Sequence, residues 1–278
     1  MSSLQHKIDF AVIIRVEHAN PNGDPLNGNR PRTDYEGYGE ISDVCLKRKL
    51  RDRLQDIGQS IFVQSDDRKT DGMKSLKDRA ESDEFGLGKK AFIGTREEIA
   101  GNACAKWFDV RAFGQLFAFK GNKKKEEEES VKGDGVSIPI RGPVTIQSAF
   151  SIEPVSVSSI QITKSVSGEG DGTKRSSATM GMKHRVDKAV YRFNGSMNPQ
   201  LAERTGFSDD DAEVIKSLLP RLFENDASSA RPEGSMAVEK VFWWKHNSKA
   251  GQYSSAKVHR SLTVNPDGSF SIAEDTTS

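Results

Sequence analysis

The chain predicts an α+β fold whose main elements follow the order β-α-β-β-α-β. Ile8, Phe10, Val12 and Ile14 alternate with Ala11, Ile13 and Arg15, the period-two pattern of a strand. Leu46, Leu50, Leu54 and Ile57 recur at helical spacing behind Ser42 and Asp43, either of which can accept an orphan backbone N–H at a helix start. Ala212, Ile215, Leu219 and Leu222 form a second helical stripe behind Ser208, where Asp209, Asp210 and Asp211 complement the helix dipole.

The remaining elements follow in chain order. Residues 18–41 hold Asn20-Pro21-Asn22-Gly23-Asp24-Pro25 and Asn27-Gly28-Asn29-Arg30-Pro31, a density of turn formers that excludes a helix or central strand. Gly58 can end the first helix in the left-handed region. Residues 59–96 are polar and receive no assignment. Ala103, Trp107, Val110, Phe113 and Phe117 predict a helix over 97–119. Residues 120–135 contain a Lys/Glu run at 123–129 that cannot bury a core and reads as a solvated loop. A strand is expected over 143–153, with Val144, Ile146, Phe150 and Ile152 on one face. A projecting hairpin follows: 155–166 leaves the body, 167–177 is a flexible tip, and 178–185 returns. Residues 187–195 form the third core strand, with Tyr191 and Phe193 as core, and 237–246 the fourth. Strands at 258–264 and 270–272 flank the turn Pro266-Asp267-Gly268. Stripped of insertions, this is the ferredoxin-like order, shared with the RNA recognition motif.

Composition narrows the function classes. No apolar run reaches the length of a membrane span, and no signal peptide is apparent at the start, so a cytoplasmic protein without membrane contact is expected. Cys45 and Cys104 are isolated, which argues against a zinc or disulfide framework. The net charge is +1, yet residues 139–200 carry eight Lys/Arg against four Asp/Glu, and residues 201–278 carry nine against twelve. That asymmetry suits head-to-tail contact between copies or an ordinary solvated surface. His6, His18, His184, His246 and His259 show no i, i+4 pair, and neither HExxH nor GxSxG occurs. The glycines at 168, 170 and 172 lack the flanking strand and helix of a dinucleotide site. Asp24, Asp34 and Asp43 match no calcium loop. No catalytic residue, metal or cofactor is therefore expected.

Two basic groups stand out. Lys47, Arg48, Lys49, Arg51 and Arg53 lie within one helix, with Lys47 and Arg51 beside the apolar stripe. They form either a solvated face, partly balanced by Asp52 and Asp56, or a seat for a polyanion that would offset like-charge repulsion. Lys183-His184-Arg185 follows Met180 and Met182 where the hairpin rejoins the sheet; exposed Met can wedge at bases while cations hold the backbone.

The segments Asn20–Pro25, Pro31-Arg32-Thr33-Asp34, the Leu-Lys-Arg-Lys-Leu-Arg run at 46–51, Asp109-Val110-Arg111-Ala112-Phe113-Gly114, Ile140-Arg141-Gly142-Pro143-Val144 and Gly181-Met182-Lys183-His184-Arg185 resemble CRISPR Cascade backbone subunits of the RAMP superfamily, in the type I-C form. The resemblance spans nearly the whole chain except 120–135. It implies a single palm–fingers–thumb domain over 1–278, with an RNA-recognition-like palm, a fingers insertion at 58–135 and a thumb hairpin at 154–186. It implies several copies stacked along one guide RNA (crRNA), further Cascade subunits for guide processing and a large subunit, and target DNA engaged through the guide. It places Lys47, Arg48 and Arg51 on the RNA-contacting helix, Asn20 and Asn22 in the RNA-facing loop, and Met180, Lys183, His184 and Arg185 in the thumb. An alternative is an endoribonuclease of the same superfamily, with His184 as general base and Asp24 or Asp34 as acid.

Overall fold

The computed structural model describes residues 2–89, 91–119, 136–163 and 180–273. The Lys/Glu run at 123–129, the glycine-rich segment at 167–177 and the start of the returning strand at 178–179 lie outside the described residues.

The protein is a mixed α+β molecule built on one antiparallel sheet. Its strands are β1 (Ile8–Ala19), β4 (Tyr38–Ile41), β7 (Val144–Ile146), β8 (Ala149–Pro154), β9 (Val157–Thr163), β10 (Met180–Met197) and β11 (Met236–Lys245). They run in the order β11-β1-β10-β8-β4, with β7 and β9 also paired to β10. The first helix, α1 (Asp43–Asp56), is capped by Ser42, whose Oγ accepts from the Cys45 N–H. A later helix, α6 (Asp209–Leu218), opens on a reciprocal cap between Ser208 and Asp211. Both lay their stripes on one sheet face: Leu46, Leu50, Leu54, Ala212, Ile215 and Leu218 join Phe10, Val12, Ile14, Tyr191 and Phe193 in one core. Gly195 is required there, because a Cβ would stand 2.1 Å from the Phe10 ring.

Several expectations are corrected. The helix expected over 97–119 is broken into α3 (Arg96–Lys106) and α4 (Phe108–Phe113), followed by strand β5 (Gly114–Phe119). Trp107 takes extended dihedrals between the helices, and Gly114 sits at φ 80, so the apparent stripe runs across two turns. Strand β5 pairs with β6 (Val136–Arg141), which the sequence did not announce. Phe62, Ala80, Ile99, Ala103, Trp107, Val110, Phe117 and Ile138 form a second, separate core around this pair and α2 (Leu76–Glu81), so the polar stretch 59–96 contributes to a packed unit.

The strand expected over 143–153 is interrupted at Gln147-Ser148. The interruption exchanges faces, so Ala149 and Ser151 are buried while Phe150 is 43% exposed. Ile57, expected in the α1 stripe, is 48% exposed because the helix has ended one residue earlier. Residues 258–264 split into the end of α7 (Ser255–Ser261) and β12 (Leu262–Val264), and β12 pairs with β13 (Phe270–Ile272). This C-terminal unit covers part of the second sheet face, where Ala11, Ile13, Val190 and Phe242 pack on Leu262 and Val264.

Candidate nucleic-acid interface

The loop after β1 is rigidly tied. β1 ends through His18 in the left-handed region, and Asn20 is then buried, donating from Nδ2 to the Asn29 carbonyl at 2.7 Å. The short strands β2 (Gly23–Asp24) and β3 (Arg30–Pro31) pair, with Gly28 and Asn29 at positive φ between them. Asn22 Oδ1 accepts from both the N–H and the hydroxyl of Ser42 at 2.9 Å, so the loop also sets the start of α1. Asn20 and Asn22 thus hold the loop's shape. Its outermost side chains are Leu26 and Tyr35, both fully exposed.

The five cations of α1 separate by burial. Lys47 is half-buried and lies 3.0 Å from Asp43, and Arg48 is 45% exposed with only loose approaches to Asp52 and Asp67. Lys49 is buried against Asp226, and burial holds its ammonium below the usual lysine range despite that partner. Arg53 is buried and pairs with Asp56 at 3.1 Å. Arg51 donates from Nε to Asp109 at 2.9 Å and lies over the Phe113 ring. Asp109 is 1% exposed and also accepts from the backbone N–H groups of Phe62 and Val63. Arg51 therefore neutralises a buried carboxylate that joins α1, α4 and the second core.

The hairpin of β9 and β10 is a regular ladder from Met180 opposite Thr163 to Val186 opposite Val157. Paired residues share a face, and faces alternate along each strand. Met180, Met182 and His184 therefore lie with Thr163, Gln161 and Ser159, while Lys183 and Arg185 lie on the other face with Ile160 and Ser158. Met180 is 60% and Met182 55% exposed. His184 is buried, with Nδ1 2.8 Å from Ser159 Oγ. The same hydroxyl accepts from Arg30 Nη1 at 3.4 Å, joining the Met-bearing face to the loop of β2 and β3. Arg185 approaches Asp187 at 3.8 Å, and Asp187 accepts from Ser158 Oγ at 2.8 Å. Ile160 and Ile162 are 40% and 49% exposed.

The family profile described as CRISPR-associated protein Cas7 matches residues 6–277. The chain belongs to the Cas7 family. A CRISPR-associated protein Cas7 of Haloferax volcanii is 28% identical over 272 residues, which cover 96% of this chain and 78% of the relative. A chain from a solved CRISPR RNA-guided surveillance complex, pre-nicking, superposes with a TM-score of 0.46 at 14% identity, covering 84% of this chain and 77% of its own. A chain from the type III-B Cmr-beta complex bound to cognate target RNA superposes at 0.42 and 12% identity, covering 86% and 61%.

In this Cas7 chain the structure separates residues that the sequence groups. Met180 and His184 share one hairpin face, Lys183 and Arg185 the other, and Arg51 turns inward. Arg30, Ile160 and Ile162 were not singled out; Ile160 and Ile162 lie on one face and Val157 on the other, so the apolar residues of this strand do not show which side faces out. The endonuclease candidates are occupied: His184 by Ser159, Asp24 by the Leu26 N–H, and Asp34 by the Glu36 and Tyr38 N–H groups.

Proposed function

We propose that this Cas7 chain binds a CRISPR guide RNA as a repeating, non-cleaving backbone subunit of a cytoplasmic type I Cascade complex, in its I-C form. The strands β1, β7/β8, β10 and β11 with α1 and α6 form an RNA-recognition-motif-like palm. Residues 58–135 lie in the fingers, and residues 154–186 form the thumb. Copies stack head to tail, because one heterologous contact repeated without closure gives an open helical filament. The guide, once spaced along the copies, pairs with target DNA, while a guide-processing subunit and a large subunit complete the assembly. Neither a metal nor a cofactor enters this role.

Family membership supports the class of partner. The observation that carries the placement is the β9–β10 hairpin, which holds two exposed methionines on the face that Arg30 joins to the 20–31 loop. A flexible, polarizable side chain can wedge between any two bases, and Lys or Arg can hold any phosphate. Sequence choice is then left to base pairing, as a changing guide demands.

The test mixes RNA-stripped protein with single-stranded RNAs of increasing length and measures bound mass and RNA integrity together. Copies per RNA should rise in steps with length, without sequence preference and with the RNA intact. Cutting at defined sites would replace this reading with an endoribonuclease. Absence of binding to every RNA, including the chain's own repeat transcript, would contradict it.

A further inference from the structure

The sheet has a second face, away from α1 and α6, and the described residues cover only part of it. Ile13 of β1 lies opposite Arg192 of β10, which lies opposite Phe150 of β8, so these three side chains form one row on that face. The C-terminal unit covers the β1 end of the row. At the other end a cleft of about 700 Å³ opens between β8, β10 and α7. Its floor carries the exposed Phe150, displaced outward by the interruption at Gln147-Ser148.

The polar groups of this cleft are arranged and partly spare. Arg192 is turned inward: it donates to the carbonyls of Leu262 and His259 and to Asn194 Oδ1. Asn194 Nδ2 in turn donates to Gln147 Oε1 at 3.1 Å, which leaves the Gln147 Nε2 group without a partner among the described residues. Arg260 is exposed on the opposite wall; its Nε donates to the Ala256 carbonyl, and its two Nη groups have no partner among the described residues. None of the described residues lining the cleft carries a carboxylate.

We infer that this cleft is a second binding site for single-stranded nucleic acid, separate from the hairpin. A base stacks on Phe150, the fixed Gln147–Asn194 amide pair meets its edge, and Arg260 meets the adjoining phosphate. Aromatic stacking beside a cation is the recurrent way of holding single strands without sequence preference, and a wall lacking carboxylates admits the polyanion. The inference rests on the guide-binding reading for the class of ligand, and it adds a strand position that the guide on the hairpin does not fill. The strand is either RNA or DNA, which share the stacking and phosphate chemistry.

The test irradiates the full chain with single-stranded RNA carrying 5-iodouridine and, separately, with the matching DNA carrying 5-iododeoxyuridine, then maps the adducts by mass spectrometry. Adducts at Phe150 are expected, and the arm with the higher yield identifies the strand. R260E, at an exposed position, should lower that yield by about tenfold, and F150A, which removes the ring that takes the label, should lower adducts on the other residues lining the cleft, while adducts on the hairpin persist in both. Adducts confined to the hairpin and the 20–31 loop would overturn the second site and leave the guide reading intact. Adducts nowhere, with no binding, would overturn both. If F150A and R260E weaken self-association instead of oligonucleotide capture, the cleft is a contact between copies and the inference fails.

Discussion

Helix α1 carries five Lys and Arg and the β9–β10 hairpin carries Lys183 and Arg185, yet the two use those side chains differently. On α1, three of the five cations point into the molecule, where Asp226, Asp56 and Asp109 hold them. On the hairpin, Met180 and Met182 stand in solvent on the face that Arg30 reaches, and Lys183 and Arg185 lie on the opposite face. A basic helix is therefore largely scaffold, and a hairpin of modest charge is the available surface. The difference arises because α1 is surrounded, by the sheet, by α4 and by the loop at 224–231, whereas β9 forms its ladder with β10 and otherwise meets Arg30 of the β2–β3 loop among the described residues.

The largest test of that contrast is R51A. It strands Asp109 in the interior without its cation, and should cost about 3 kcal/mol of stability in denaturant unfolding. A stable R51A that no longer binds RNA would place α1 with the hairpin and break the comparison. Next comes the M180A/M182A pair. It should weaken RNA binding by about 1–3 kcal/mol for each base that loses its wedge, with an unchanged unfolding midpoint. An unfolding midpoint that drops would show that the methionines are packing.

Smaller effects sharpen the picture. In K47A/R48A the slope of log affinity against log salt should fall by about 0.7 for each phosphate that is no longer engaged, measured by fluorescence anisotropy across a salt series. An unchanged slope would leave α1 with no role at the RNA. The smallest effect concerns the C-terminal cover. His259 is buried near Asp9, His246, Lys7 and Arg192, and burial lowers its pKa below the usual 6.5. The unfolded segment therefore takes up a proton first. Docking of α7 is fully stabilised above pH 6.5 and weakens as pH falls below that value through the folded pKa. Hydrogen exchange over 255–272, corrected for intrinsic rates, should be faster about one unit below 6.5 than one unit above. H259F should flatten that dependence.

Elements with a single local cause were legible in the sequence. A helix start at Ser42 or Asp43, another at Ser208, the left-handed Gly58 and the alternation of β1 are written in neighbouring residues, and the structure has them. The break at Trp107 was not legible, because Phe113 and Phe117 continue a helical spacing although one ends a short helix and the other lies in a strand. The exposure of Phe150 depends on a face change that alternation alone does not register. At the candidate interface, residue type named the chemistry but not the direction. Lys49 looks like a surface cation until Asp226, distant in sequence, is packed against it. His184 and Lys183 are neighbours in the chain, and the pleat sends them to opposite sides.

The most direct measurement is hydroxyl-radical footprinting of the full chain with and without a bound single-stranded RNA, read at individual methionines. Met180 and Met182 are exposed and react readily, while Met197 and Met236 are buried and serve as internal references. Oxidation of Met180 and Met182 should fall several-fold when RNA is bound, with the buried pair unchanged. Equal oxidation of Met180 and Met182 with and without RNA would contradict the account, because the hairpin would then not be where the guide lies.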